Sequence, residues 1–463
     1  MNLKNMKKTV FTAICLITIF NGFSQNIQRK AGLGVGFYQK VPDSLQHKFN
    51  YQKGAMVQFV VPNTSAAAAG VLPNDVILKV NQSIINVPNE LFAAAKLLRS
   101  GEPVEITVIR NHKQQVLKTK AVERPRETST TADVVYGEFA YKKGYVRTIY
   151  KTLKNKKPLG TIYFLQGLPC YSMDNFQPLD KTKQALDAMV ERGFAVYRME
   201  KADMGDNVNQ SPCETMGFDE ELDMYKAGYQ HLLTLDYVDT SKIVLFGHSM
   251  GGVTAPLLAE MFQPKGVAVY GTVFKPWMDY MLDAYEIQLQ LFGADLAEIR
   301  DSLKVFKPFI YDYFYNHKSL DEICKTAAGR SALANILSYN PSTRLGASGR
   351  SPLVFKEINQ HNLTKAWRNT NSYVLAVYGE CDIAANNATD HQALINYVNK
   401  IHPGRGTFWL APGTTHTFEE IGTMDEFIRR QHDMSAYLSY AAQRFNPKVF
   451  DYVCTWMQEI LNK

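Results

Sequence analysis

Val244-Leu245-Phe246-Gly247-His248-Ser249-Met250-Gly251-Gly252 decides how this chain is read. Its apolar start predicts a short buried strand. The strand breaks into Gly-x-Ser-x-Gly, and 253–262 continue with the composition of a helix. A serine displayed on a strand-to-helix turn needs a strained, uncrowded backbone, and small residues on either side let neighbouring chains pass close. The helix that follows points its positive end at the serine, where negative charge develops if the serine attacks a carbonyl. The competing reading is a glycine-rich turn whose serine only caps the helix.

Working outward, 463 residues exceed one ordinary core and predict two domains. With 46% hydrophobic and 21% charged residues, the composition is that of a globular protein. The chain opens with Lys4, Lys7 and Lys8, an apolar run over 9–20, and then Asn21-Gly22-Phe23-Ser24. This predicts a secretory leader over 1–24 and an exported protein, periplasmic or extracellular. The run is too short for a membrane span, and no later stretch is long enough. Without the leader's three lysines the formal charge falls from +7 to +4, a balance that gives no reason to expect nucleic acid. Neither Cys-x-x-Cys nor His-Glu-x-x-His occurs, so neither a metal nor a cofactor is expected.

Residues 28–125 alternate short strands and turns. A strand over 56–61 leads through Pro62-Asn63-Thr64-Ser65 to a helical turn closed by Gly70. Pro73-Asn74-Asp75 turns into a strand over 76–80, a helix is expected over 89–99, and a hairpin around Asn111-His112-Lys113 ends the segment. The pattern Pro62-x-x-Ser65-x-Ala67-x-Ala69-Gly70-Val71, followed by Pro73-x-Asp75-Val76-Ile77 and Val80-Asn81, resembles a PDZ domain of the bacterial periplasmic protease kind. Asn74 and Gln82 stand where that family has turn glycines. The resemblance implies that the loop Gly32-Leu33-Gly34-Val35 takes a peptide carboxylate on backbone N–H groups, the peptide adding as a strand beside the 89–99 helix. Either the groove recruits a peptide substrate or partner, or it docks on the rest of the chain as a scaffold.

A polar linker over 126–133 separates this segment from 134–463, where buried strands and helices alternate as in a parallel sheet covered on both faces. With the serine turn in place, this region resembles the α/β-hydrolase superfamily. The resemblance implies an α/β-hydrolase fold and an oxyanion loop at Gln166-Gly167-Leu168-Pro169, with N–H donors from Leu168 and Met250. It implies an acid after the 373–378 strand, in Gly379-Glu380-Cys381-Asp382. Asp382 fits the family's second acid, and Gly271-Thr272 offers no carboxylate at the alternative position. The base follows the last strand as His416, completing the order Ser249, Asp382, His416. His248 is expected to pack, and His391 and His402 to be solvated.

The mature chain keeps Cys170, Cys213, Cys324, Cys381 and Cys454, an odd number. In the α/β-hydrolase arrangement Cys170 and Cys213 follow neighbouring strands, which implies a disulfide between them. Residues 273–370 occupy the position of that superfamily's helical lid, and most of their aromatics are expected to pack its core. The resemblances imply a serine hydrolase acting on a small-molecule ester through an acyl-enzyme. A peptidase or amidase with the same residues, and an inactive peptide-binding adaptor, remain alternatives, as do the haloperoxidase, lyase and acyltransferase variants of the fold.

Overall fold

The computed structural model describes residues 26–174 and 176–463. The leader expected over 1–24 lies outside the described residues. The N-terminal sheet consists of β1 (Val35–Phe37), β2 (Ala55–Val60), β3 (Val76–Val80), β4 (Ser83–Ile84), β5 (Pro103–Arg110) and β6 (Lys113–Lys120). Its order is β1-β2-β3-β5-β6, with β4 paired to β3. Ala55, Val57, Ile77, Ile106 and Val108 turn inward from the strands, and Leu91 and Ala94 close the core from the helix Glu90–Lys96. That helix ends three residues earlier than expected, because Arg99 leaves it to bridge Lys30. Asn74 adopts φ 70°, the left-handed conformation that asparagine tolerates in place of glycine. In the next turn Asn81, at φ 50°, takes the left-handed position rather than Gln82.

The second sheet has eight strands: β7 (Ala132–Tyr141), β8 (Gly144–Leu153), β9 (Thr161–Leu165), β10 (Ala195–Met199), β11 (Ile243–His248), β12 (Gly266–Tyr270), β13 (Tyr373–Cys381) and β14 (Gly406–Thr415). They run in the order β7-β8-β10-β9-β11-β12-β13-β14. β8 is antiparallel to both β7 and β10, while β9 to β14 are mutually parallel. This is the α/β-hydrolase strand order. The apolar runs that lacked alternation are the central strands: every residue of β9, β10, β11 and β12 is buried.

The direction of winding reverses between β9 and β11. In an open α/β sheet the crevice beyond the carboxyl ends of such strands is where ligands bind. β9 ends at Leu165, just before the Gln166–Pro169 loop, and β11 ends at His248, just before Ser249. Between β12 and β13 the chain builds a helical cap that begins with Trp277–Leu291 and Leu296–Phe314 and ends with Leu363–Asn369. Most of its aromatics are structural: Phe306, Tyr313 and Phe314 are buried, and Trp277 stacks on Phe355 with ring centroids 5.9 Å apart.

The N-terminal unit is seated on the hydrolase sheet by buried charge. Arg29 pairs with Asp174 and with Asp206, at 2.8 Å from the latter, and the Lys30 N–H donates to Asp206 at 2.8 Å. Glu127, in the polar stretch read as a linker, pairs with Lys151 at 2.6 Å and with Arg198. That stretch is therefore docked on the sheet.

Candidate active site

Ser249 sits at φ 56°, a left-handed conformation that costs a non-glycine residue about 1–3 kcal/mol and survives only where its surroundings impose it. Here the Ser249 N–H donates to Tyr270 O at 2.9 Å, and its carbonyl accepts from Gly252 at 2.8 Å. The glycines around it are required by crowding. A β-carbon at Gly251 would stand 2.0 Å from Leu165 O, and one at Gly247 would stand 2.4 Å from Gly251 O. The serine thus presents its hydroxyl on a tight corner between β11 and the helix Gly251–Phe262.

His416 follows β14 directly, and its Nδ1 lies 2.8 Å from Asp382 Oδ2. Asp382 is the first residue beyond β13, which runs three residues further than the sequence reading placed it. Its other oxygen, Oδ1, accepts from the Ala384 and Ala385 N–H groups at 2.9 Å each, so the carboxylate cannot rotate away. Glu380 points elsewhere and accepts from the Gly413 N–H at 2.8 Å. Burial works against charge on Asp382, yet the His416 ring and the Ala385 N–H hold its pKa below the usual carboxylate range. Burial likewise works to lower His416, but Asp382 opposite raises it above the ordinary imidazole value. A base held by a buried carboxylate in this way can accept a proton and be stabilised once it has done so.

His248 does more than pack. Burial and the neighbouring His416 push its pKa down to about 3, so the ring is neutral, and its Nε2–H donates to the His416 carbonyl at 2.8 Å. It fixes the backbone of His416. His391 corrects the sequence reading: it is 1% exposed, accepts from the Thr272 N–H at 3.0 Å and faces the Asn387 carbonyl at 3.1 Å. Asn387 caps its helix, and the ring fills the space between that helix and the sheet.

The Gln166–Pro169 loop lies against Ser249: a β-carbon on Gly167 would stand 3.3 Å from Ser249 Cβ and 3.6 Å from its Oγ. Among the described residues, the Leu168 and Met250 N–H groups donate to no backbone acceptor in the loops. Cys170 is joined to Cys213, with Cα atoms 6.0 Å apart, tying this loop to the one preceding the helix Phe218–Leu232. The bridge closes a sequence separation of 43 residues. Replacing both cysteines by serine is expected to lower unfolding stability by about 4 kcal/mol through restored chain entropy, measured by urea titration. Cys381 and Cys454 are buried free thiols, pushed up to about 11 and about 12 by desolvation, and Cys324 is partly exposed.

In the N-terminal unit, Gly34 at φ 77° passes so close to Thr64 that a β-carbon would meet its side chain at 2.2 Å. β1 uses one edge to pair with β2, and Phe37 meets Phe92 of the Glu90–Lys96 helix at 5.2 Å between ring centroids. Beside Leu33 a cavity of about 260 Å³ is walled by Lys30, Phe92 and Lys96 on one side and by Asp203, Met204 and Gly205 of the hydrolase unit on the other. The groove end therefore opens at the seam between the two units. Among the described residues no helix is long and apolar enough to cross a membrane, and no three His, Cys, Asp or Glu side chains gather as a metal site.

Residues 31–121 match the PDZ domain family. The magnetosome formation protease MamE of Magnetospirillum gryphiswaldense is 41% identical over 66 residues, which is 14% of this chain and 8% of that protein. The protease of the same name from Paramagnetospirillum magneticum is 37% identical over 59 residues, 13% of this chain and 8% of its own. The chain thus spans only 8% of the length of these curated relatives. Among solved structures, Est1E from Butyrivibrio proteoclasticus with bound ferulic acid is 16% identical with a TM-score of 0.43, covering 71% of this chain and all of that one. A soluble variant of monoglyceride lipase from Saccharomyces cerevisiae is 13% identical with a TM-score of 0.41, covering 72% and 96%. The strand order and the serine turn carry the fold assignment. The chain joins a PDZ domain to an α/β-hydrolase fold.

Proposed function

We propose that this chain, a PDZ domain followed by an α/β-hydrolase fold, is an exported serine hydrolase that cleaves carboxylic esters through an acyl-enzyme. One observation carries the reading: a strained Ser249 at the switch point of the sheet, on the same carboxyl edge as the His416–Asp382 pair, whose His416 ring lies 5.0 Å from the ring of His248 next to the serine. In this mechanism His416 Nε2 removes the Ser249 proton as Oγ attacks the ester carbonyl, and Asp382 stabilises the imidazolium that forms. The Leu168 and Met250 N–H groups receive the oxyanion, and His416 returns the proton to the departing alcohol. A water activated by His416 then releases the acid and regenerates Ser249.

The cap supports an apolar acyl group. A cavity of about 410 Å³ is lined by Tyr280, Met281, Tyr285, Leu289, Phe292 and Ile336. Two of its walls rest on the acid loop: Tyr280 donates to Ala384 O at 2.6 Å, and Gln288, also in the lining, to Ile383 O at 3.0 Å. The basic leader sequence and the Cys170–Cys213 bridge favour an oxidising compartment outside the cytoplasm. A peptidase or amidase reading draws on a different feature, the groove of Gly32, Leu33, Gly34 and Val35 that opens toward the hydrolase unit, where it would deliver a peptide chain.

An alkyl fluorophosphonate separates these readings when applied to the mature chain and to Ser249→Ala. Labelling that disappears in the alanine variant, with turnover of nitrophenyl esters above that of matched anilides, is the expected result. Ser249-dependent labelling with anilide turnover dominant would favour the peptidase. Absence of labelling in folded protein would leave the peptide-binding adaptor.

A further inference from the structure

Behind the Gln166–Pro169 loop lies a buried cluster of three ionised side chains drawn from three parts of the chain. Lys201 follows β10, Glu221 belongs to the helix Phe218–Leu232, and Arg350 comes from the cap. Their side chains are 0%, 4% and 0% exposed. Glu221 receives Lys201 at 2.9 Å and Arg350 at 2.7 Å. What remains of the two cations' donor capacity goes mainly to the loop. Lys201 Nζ donates to Gly167 O at 2.6 Å and to Leu168 O at 3.1 Å, and Arg350 Nη1 donates to Leu168 O at 2.9 Å.

We infer that Lys201, braced by Arg350 through Glu221, is a positioning residue that aims the Leu168 N–H at the substrate oxyanion. The inference rests on the proposed hydrolase reading. Its geometry follows from the planar peptide: Gly167 C=O and Leu168 N–H belong to one rigid unit and point in opposite directions. Holding the carbonyl on an ammonium directs the N–H the other way, and Gly167 is the residue that backs onto Ser249. Two cations against one carboxylate also leave a net positive charge one peptide away from the site where negative charge develops. In a dry interior that charge acts at little screening.

A purely structural role fits less well. Desolvating ions is costly, and well-packed apolar side chains of similar volume often stabilise a fold as well or better. Neutral donors would satisfy two loop carbonyls. Because Arg350 belongs to the cap, the clamp also ties cap seating to the oxyanion loop: with the cap displaced, Leu168 O loses one of its two charged donors.

The test uses the mature full-length chain. Ser249-dependent fluorophosphonate labelling of the wild type comes first, since its absence would defeat the hydrolase reading before the clamp is reached. Given labelling, Lys201→Met is expected to lower kcat about 100-fold, near the loss of one oxyanion donor, with KM within about threefold of wild type. Lys201→Arg is expected to restore most of the rate, and Arg350→Lys to cost about tenfold. An aryl trifluoromethyl ketone reports on the hole directly: the pKa of its Ser249 hemiketal, followed by fluorine NMR, should rise in Lys201→Met. If Lys201→Met misfolds, Lys201→Leu, which likewise leaves the Glu221–Arg350 pair balanced, is assayed in its place. Folded variants with wild-type kcat and an unmoved hemiketal pKa would overturn the clamp, whatever happened to their melting temperatures.

Discussion

Ser249→Ala, His416→Ala and the double variant are expected to hydrolyse a nitrophenyl ester at the same residual rate, about 10⁴- to 10⁶-fold below wild type. The equality matters more than the size of the loss. If Ser249 Oγ is the nucleophile and His416 its base, removing either disables the same step, and removing both adds nothing. Losses that multiplied would mean that the two side chains act independently, and the acyl-enzyme would have to be given up. Asp382→Asn belongs to the same unit and is expected to cost about 10⁴-fold, by favouring the wrong His416 tautomer. It also carries a pH signature. His416 must be neutral to act as base, and Asp382 raises its pKa despite burial. The wild-type kcat/KM should therefore rise with pH through a midpoint above the ordinary imidazole value. In Asp382→Asn the raising charge is gone, so the midpoint should move down as the plateau falls. A midpoint indifferent to Asp382 would count against the pairing.

The parts of this reading that were legible in the sequence are those written in local spacing. Gly247, Ser249 and Gly251 are close neighbours, and each glycine is demanded by a backbone atom within a few ångströms. The PDZ turns are local in the same way, although propensity could not tell that Asn81 rather than Gln82 takes the left-handed position. The end of β13 was hidden because the strand continues past a polar residue, Glu380, to Cys381, whose pairing partner Thr415 lies far off in the chain. His391 was misread for a related reason: its helix is amphipathic, and the burial of one histidine on it depends on Thr272 from another strand end. The clamp could not have been found at all. Lys201, Glu221 and Arg350 share no motif, and only the fold brings the cap residue to the loop.

Gly271→Ala, the smallest change possible, is expected to approach the loss of Asp382 itself, about 10³- to 10⁴-fold in kcat. Gly271 follows β12, at the alternative acid position of this fold, and here the position must be bare. A β-carbon there would stand 2.7 Å from Asp382 Oδ2, 2.8 Å from His416 Nδ1 and 2.9 Å from His416 Cε1. It would fall against the 2.8 Å bond that orients the His416 ring. Relief by movement is restricted on each side. Asp382 is held through Oδ1 by two N–H groups, and His416 is held through its carbonyl by His248. Gly271 itself is anchored, its N–H on Val377 O, with the next residue's N–H on His391. Its φ of 62° adds a backbone cost of about 1–2 kcal/mol for any residue with a β-carbon. That cost alone would lower the melting temperature and leave kcat intact in the folded fraction. The distinguishing measurement is therefore kcat per folded molecule, with the low-field proton resonance of the His416–Asp382 bond followed in parallel. Loss of both with the fold retained would mean that this one hydrogen bond sets the rate. A folded Gly271→Ala chain with normal kcat would show that the base needs no such alignment, and the catalytic role assigned to Asp382 would fall with it.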